Sequence, residues 1–260
     1  MQTISNFFKK KKKGLIQLII TMTNTYTYVF IHGAMHGGWC FERKLIPLFK
    51  KANYRTITFD LPGNGKNDDT PIEEITLDNY AKRTISVIDE QTKPEEKVIL
   101  VGHSLGGLTA TMVAERIPDK IHCVVYLAAF YLQDGQTLVS ANIPTKGAFY
   151  VKDEIYLGID EDDMVDAFYK DCDEDDIQFA KANVTKQYLG PQSEKFKVQG
   201  VIDHIDKYYI KALHDKAIPP ESQEMMYKNK INNVIEIDSA HSPFFSNPDE
   251  LFTILTKLIK

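Results

Sequence analysis

Ser104 stands in the run Val101-Gly102-His103-Ser104-Leu105-Gly106-Gly107, where the surrounding residues suit a nucleophile. The apolar stretch Val98-Ile99-Leu100 ahead of it has strand character, and residues 105–114 behind it have helical character. A Gly-x-Ser-x-Gly between a strand and a helix reads as a nucleophile elbow. Residues without Cβ let the two elements meet at a sharp turn. The serine hydroxyl then projects from the turn, and nearby backbone N–H groups can face a developing oxyanion. Five residues of this kind also arise by chance, so the pattern gains meaning only if the chain supplies a base, an acid and an oxyanion loop.

A serine is a poor nucleophile until a base takes its proton, and the base needs an acid to hold its tautomer. Of the seven histidines, His241 falls in Asp238-Ser239-Ala240-His241-Ser242-Pro243, after the last expected strand and before the final helix. Asp215 follows the preceding strand, in Leu213-His214-Asp215-Lys216-Ala217-Ile218-Pro219. The chain order Ser104, Asp215, His241 is one of the known orders for such a triad. Asp238 and Asp206 compete for the acid role. Asp238 lies only three residues from His241, and Asp206 precedes its strand, so position favours Asp215. His214 reads as a spectator. The oxyanion donors expected for this arrangement are the N–H after the nucleophile, Leu105, and one from an early strand–helix loop. In His32-Gly33-Ala34 that donor is the Ala34 amide. His32 and His103 flank the site as packed neighbours without a proton-transfer role.

These residues need elements to position them. From Thr25 onward strand-like and helix-like segments alternate. Strands are expected at 26–31, 55–59, 98–101, 121–127, 208–213 and 234–237; helices at 39–51, 77–91, 222–229 and 247–259, besides the one after the elbow. Such alternation implies βαβ units and a mostly parallel sheet covered on both faces. Ligands collect at the carboxyl ends of such strands, which is where His32, Asp60 and Ser104 fall. The alternation lapses between about 131 and 205, a stretch rich in aromatics and carrying two acidic clusters, Asp160-Glu161-Asp162-Asp163 and Asp173-Glu174-Asp175-Asp176. Without a glycine-containing calcium loop these clusters read as solvated helix starts, where acidic residues are favourable, and not as a metal site.

Composition limits the partners. The 260 residues are 43% hydrophobic and 26% charged with a formal charge of −5, a globular balance that argues against nucleic acid. Cys40, Cys123 and Cys172 are widely spaced and odd in number, so neither zinc nor a disulfide framework is expected and the cytoplasm is the default location. Lys9–Lys13 precede a short apolar run, 14–20, which has no Ala-x-Ala cleavage site after it and is too short for a membrane span. Residues 1–21 therefore read as a disordered tail, or as an upstream start with Met22 as the working beginning.

Six segments together resemble the α/β-hydrolases of the plant methylesterase and hydroxynitrile-lyase group and their bacterial, pyrethroid-hydrolase-like esterase relatives. They are residues 29–39, Asp60-Leu61-Pro62-Gly63, 101–107, Leu127-Ala128-Ala129-Phe130, 215–219 and His241-Ser242-Pro243-Phe244-Phe245. The resemblance runs from about residue 26 to the end. It implies an α/β-hydrolase fold with a mostly parallel central sheet and helices on both faces. Its core would be 22–130 and 206–260, with a helical cap, 131–205, inserted after the sixth strand. The pocket beneath would be small and largely apolar, with no cofactor and no metal. Leu105, Phe130, Tyr131, Phe244 and Phe245 are its expected walls, by their position beside the catalytic loops, and cap aromatics would close it.

The chain also departs from the hydroxynitrile lyases of this group. They carry a lysine after the catalytic histidine, a cysteine after the nucleophile and a threonine in the oxyanion loop, where this chain has Ser242, Leu105 and Ala34. Without a buried cation for a cyanide leaving group, the expectation shifts to a serine carboxylesterase acting on small to medium hydrophobic esters through an acyl-enzyme. The partner is then a small-molecule ester, with no nucleic acid, no membrane span and a homodimer as an open arrangement. The rival readings are a C–C lyase or hydrolase on the same scaffold, and a catalytically slow ligand-binding receptor.

Overall fold

Long apolar strands need cover on both faces, and this chain supplies it by alternating strands with helices. A computed structural model describes residues 26–66, 68–145 and 149–258. The lysine run, the tail at 1–21, Met22 and the Ile259 end of the expected last helix lie outside the described residues. Strand β1 (Tyr26–Ile31) leads to α1 (Trp39–Glu42), α2 (Leu45–Lys51), β2 (Arg55–Thr58), α3 (Leu77–Gln91), β3 (Lys97–His103), α4 (Gly106–Arg116) and β4 (Ile121–Leu127). The chain then leaves the sheet through β5 (Tyr150–Lys152), β6 (Tyr156–Gly158), α5 (Glu161–Phe168), α6 (Glu174–Lys181), β7 (Gln187–Tyr188) and α7 (Gly190–Ser193). It returns as β8 (Asp206–Ala212), α8 (Pro220–Tyr227), β9 (Asn233–Ile237), α9 (Pro243–Ser246) and α10 (Pro248–Lys257).

The six long-range strands form one parallel sheet in the order β2-β1-β3-β4-β8-β9. Successive side chains of a strand point to opposite faces, and two apolar cores result. Val29, Leu100 and Tyr126 belong to the one under α3 and α4, whereas Phe30, Val101 and Val125 belong to the one under α1, α2 and α10. Helix α3 shows how sequence sets the local structure. Thr76 caps it by accepting the Asn79 N–H at 3.1 Å, and Leu77, Tyr80, Ala81, Thr84 and Ile88 recur at helical spacing to form its buried stripe.

Two expectations need correction. The helix expected over 39–51 is two helices, broken at Arg43–Lys44. Pro47 has no N–H to bond the Arg43 carbonyl, so one continuous helix cannot form. The cap is not purely helical, since β5, β6 and β7 pair antiparallel into a small sheet of its own. Among the described residues the insertion follows the fourth strand of the main sheet, with only β8 and β9 after it.

The two acidic clusters open α5 and α6. Asp173 Oδ1 accepts the Asp176 N–H at 2.8 Å. The buried Asp176 carboxylate takes Arg43 Nε at 2.7 Å and also Lys44, which pairs with Asp173 as well at 2.8 Å. The break between α1 and α2 thus presents two cations to the cap. Among the described residues no group of three or more His, Cys, Asp or Glu side chains is placed to hold a metal ion.

At the elbow, the glycines mark close backbone approaches. A Cβ on Gly106 would lie 2.5 Å from the Ile31 carbonyl oxygen and 2.6 Å from that of His32, and one on Gly102 would lie 2.7 Å from the Gly106 oxygen. Because the obstacles are backbone atoms, no side-chain rotation relieves them. Gly106→Ala is therefore expected to cost at least about 1–3 kcal/mol. In urea unfolding it would lower the midpoint with an unchanged slope.

Candidate active site

Ser104 leaves the end of β3 with φ +52°, a left-handed conformation that is costly for a residue with a Cβ. The surroundings over-determine it. Its N–H donates to the Leu127 carbonyl at 3.2 Å, and its own carbonyl accepts from Gly107 and Phe130 at 3.1 and 3.0 Å. The loop after β1 packs directly on this turn, since a Cβ on Gly33 would fall 2.7 Å from Ser104 Cβ. Ser104, Ala34 and Leu105 meet in the wall of one cavity of about 320 Å³.

Asp215 and His241 come from the loops after β8 and β9, adjacent parallel strands whose carboxyl ends lie side by side. His241 Nδ1 donates to Asp215 Oδ2 at 2.7 Å, with both side chains almost wholly buried. Asp215 Oδ1 accepts the Ile218 N–H at 2.9 Å, and Gln223 Nε2 donates to Oδ2 at 3.1 Å. Gln223 also donates to the Ile218 carbonyl at 2.8 Å and accepts the Ala212 N–H at 3.1 Å, so α8 braces the carboxylate from behind. Burial raises the pKa of Asp215, against the opposing pull of His241. Sequence reasoning missed Gln223, because a glutamine in a helix carries no local sign of facing a buried acid. Of the rival acids, Asp238 is a surface residue 2.6 Å from His214 Nε2, and Asp206 begins β8 at the opposite end of the strand from Asp215.

Three further histidines lie beneath the site, all fully enclosed. His32 Nδ1 donates to the Gly33 carbonyl at 2.8 Å, and its Nε2 accepts the Leu61 N–H at 3.0 Å. His103 Nε2 donates to the His241 carbonyl at 2.9 Å, with the two rings 4.7 Å apart. His36 Nδ1 donates to the Ala34 carbonyl at 2.7 Å, and its Nε2 accepts the Tyr169 hydroxyl at 2.7 Å. Desolvation lowers the pKa of all three, that of His36 to about 3. They are neutral packing and positioning groups at ordinary pH.

The cavity walls differ from expectation. Leu105 and Phe130 line it, but Tyr131, Phe244 and Phe245 do not. Tyr131 packs edge-on against Tyr126 at 5.2 Å. After His241 the chain turns inward, and Pro243 starts α9 within the core. Phe244 meets His36, Phe41 and His103 there, and Phe245 meets Trp39 and Phe179. Nearness in sequence to His241 did not bring these rings to the cavity. Cap residues supply most of the wall instead, including Leu138, Phe149, Leu157 and Phe168, with Ile218 from the core. Phe168 also stacks on the His241 ring, centroids 5.5 Å apart.

The cap holds both loops that carry the site. Met35, the residue after Ala34, donates its N–H to Gln187 Oε1 at 3.2 Å and accepts the Thr185 N–H at 3.0 Å. Tyr169 holds His36 as described above. On the other side, Asp171 Oδ2 accepts the Ala240 N–H at 2.6 Å, one residue before His241.

Comparison with known proteins agrees with this architecture. Residues 28–254 match the model of the Alpha/beta hydrolase family. Among curated relatives, putative methylesterase 14 (chloroplastic) of Arabidopsis thaliana is 30% identical over 249 residues, covering 89% of this chain and 71% of that protein. Salicylic acid-binding protein 2 of Nicotiana tabacum is 30% identical over 252 residues, 89% of this chain and 96% of that protein. The crystal structure of a methylesterase, MES16, from Arabidopsis superposes with a TM-score of 0.77 at 26% identity, covering 90% and 98% of the two chains. A pyrethroid hydrolase from Sphingobium faniae JZ-2 shares the fold, with a TM-score of 0.79 at 23% identity over 90% and 97%.

The chain belongs to the α/β-hydrolase family. Its enzyme class, with relatives named methylesterases and esterases, is that of the carboxylic ester hydrolases.

Two measurements check the electrostatics. A raised native pKa means that ionised Asp215 lowers stability at pH values above it. Asp215→Asn removes that cost and is expected to leave the melting temperature unchanged or higher, while kcat/KM falls by about 10³–10⁴-fold because the imidazole loses its orienting acceptor. For the buried histidines the sign runs the other way. Their native pKa values lie below the ordinary value of about 6.5, so the unfolded state binds more protons below it. Stability is fully present above about pH 6.5 and is lost as pH falls toward 3. Urea midpoints measured from pH 7 to 4 should show this decline, and His36→Gln should flatten it.

Proposed function

We propose that the protein is a serine carboxylesterase that cleaves small to medium hydrophobic esters through an acyl-enzyme. The observation that carries this reading is the buried His241–Asp215 pair behind a largely apolar cavity walled by Ser104, Ala34 and Leu105. In this mechanism Ser104 Oγ attacks the ester carbonyl carbon as His241 Nε2 takes its proton. Asp215 holds Nδ1–H and stabilises the imidazolium that forms. The backbone N–H groups of Ala34 and Leu105 receive the oxyanion. His241 then gives its proton to the departing alkoxide, and a water activated by the same imidazole hydrolyses the acyl-enzyme.

A cavity of about 320 Å³ lies at the small end of ligand sites, which favours compact esters, and the relatives make methyl esters the natural first series. The lyase reading finds less support, since Ser242 is a neutral, buried residue outside the cavity wall. A receptor reading gains nothing specific from the site. The three cysteines are free thiols, in keeping with a reducing cytoplasm as the place of action, and no helix among the described residues is long and apolar enough to cross a membrane. A homodimer remains part of the proposal, and sedimentation equilibrium reads it directly.

A fluorophosphonate probe is expected to label the native protein, and Ser104→Ala should abolish the label. The same variant should lose at least about 10³-fold in turnover of p-nitrophenyl butyrate. Full turnover by Ser104→Ala would overturn the mechanism.

A further inference from the structure

Met35, the residue after the proposed oxyanion donor Ala34, has φ +63°. A residue with a Cβ is strained in this left-handed region, so an unrestrained Met35 would turn about its N–Cα bond to negative φ. The planar Ala34–Met35 peptide would turn with it as one body and carry Ala34 out of place. One short cap segment prevents this by taking both polar groups of the Met35 backbone. The Thr185 N–H donates to the Met35 carbonyl at 3.0 Å, and Gln187 Oε1 accepts the Met35 N–H at 3.2 Å. The first bond is backbone to backbone, open to any residue but proline at 185. The second needs a side-chain acceptor of one length at one place. Gln187 is 1% exposed and does not line the Ser104 cavity. Its Nε2 donates to the Tyr188 carbonyl at 2.9 Å, and Asn64 Nδ2 approaches Oε1 at 3.5 Å. The carboxamide is therefore itself oriented, with its oxygen toward Met35.

We infer that Gln187 is a positioning residue for the chemical step: its carboxamide oxygen locks Met35 in the left-handed conformation and thereby aims the Ala34 N–H at the oxyanion. This rests on the esterase reading of the same site and gives the cap a part in the reaction beyond walling the cavity. Gln187 acts through Met35 and does not itself reach the cavity. Its effect falls on the state in which the carbonyl oxygen carries charge, because oxyanion donors are aimed at the developing charge and not at the ground-state carbonyl. Loss of the clamp therefore lowers kcat and leaves KM nearly unchanged.

Gln187→Met removes the acceptor at nearly constant side-chain length. On p-nitrophenyl butyrate it is expected to lose about 10²-fold in kcat, with KM within about twofold of the wild type. An alkyl trifluoromethyl ketone reads the oxyanion directly. Ser104 Oγ adds to its carbonyl carbon, the hydroxyl proton passes to His241, and the former carbonyl oxygen becomes the oxyanion. Its affinity should fall about 10²-fold in Gln187→Met. The matching methyl ketone, with Ser104→Ala as the common background, should bind equally with and without Gln187→Met. A packing role alone would weaken both ketones together. Amide hydrogen exchange at Met35, followed by NMR, should quicken in the same variant. Gln187→Leu takes its place if the methionine protein does not fold. The proposal is overturned if a folded variant keeps the wild-type kcat, if the two ketones weaken alike, or if exchange at Met35 is unchanged. Absence of ester turnover and of Ser104 labelling in the wild type would instead sink the esterase reading, and exchange at Met35 would then decide the clamp by itself.

Discussion

The backbone at Ser104 is held in a conformation it would not choose, and much of the molecule is arranged around that turn. A left-handed residue with a Cβ survives only where its neighbours leave no alternative. Here the carbonyl of Leu127 takes its N–H while Gly107 and Phe130 take its carbonyl. Gly102 and Gly106 give up side chains so that β3, α4 and β1 can close to backbone contact. Gly33 does the same for the loop that carries Ala34. Strain at one residue is thus distributed over two strands, one helix and one loop, all of which must pack correctly before the hydroxyl can face the cavity.

Two buried aspartates show how differently this fold treats charge. Asp176 is neutralised by Arg43 and Lys44 and fastens the cap to the core. Among the described residues no lysine or arginine pairs with Asp215. It is held by the Ile218 amide, the Gln223 carboxamide and the His241 imidazole, so its charge has its greatest stabilising effect on the imidazole when that ring gains a proton. The neutral histidines beneath, His32, His36 and His103, serve instead as shaped donors and acceptors that fix loop backbones. A charged group in their place would act electrostatically on the buried His241–Asp215 pair.

The cap does more than roof the cavity. Its Thr185, Gln187 and Tyr169 hold the loop of Ala34 and His36, and its Asp171 holds the residue before His241. Both loops are tied to the same insertion that supplies most of the cavity wall. The cavity wall and the positioning of the Ala34 and His241 loops therefore share one structural element.

The sequence by itself determined the parallel sheet and the strand-end position of Ser104, Asp215 and His241. These depend on local signals that a chain cannot hide: β-branched runs, helical stripes, and glycines required where backbones touch. It also marked the acidic clusters as helix starts, a matter of helix-terminal electrostatics. Tertiary structure decided the rest. Whether Phe244 and Phe245 face the cavity or the core depends on which way the chain turns after His241, and neighbours in sequence share no obligation to point the same way. Strand β7 joins β6 from a segment far along the chain, and Gln223 reaches Asp215 only once α8 packs back against the loop after β8, whereas the break at Arg43–Lys44 is a local effect of Pro47. Residue type and spacing predict which elements form, whereas the direction of a side chain across a packed interface is fixed only when both sides are in place.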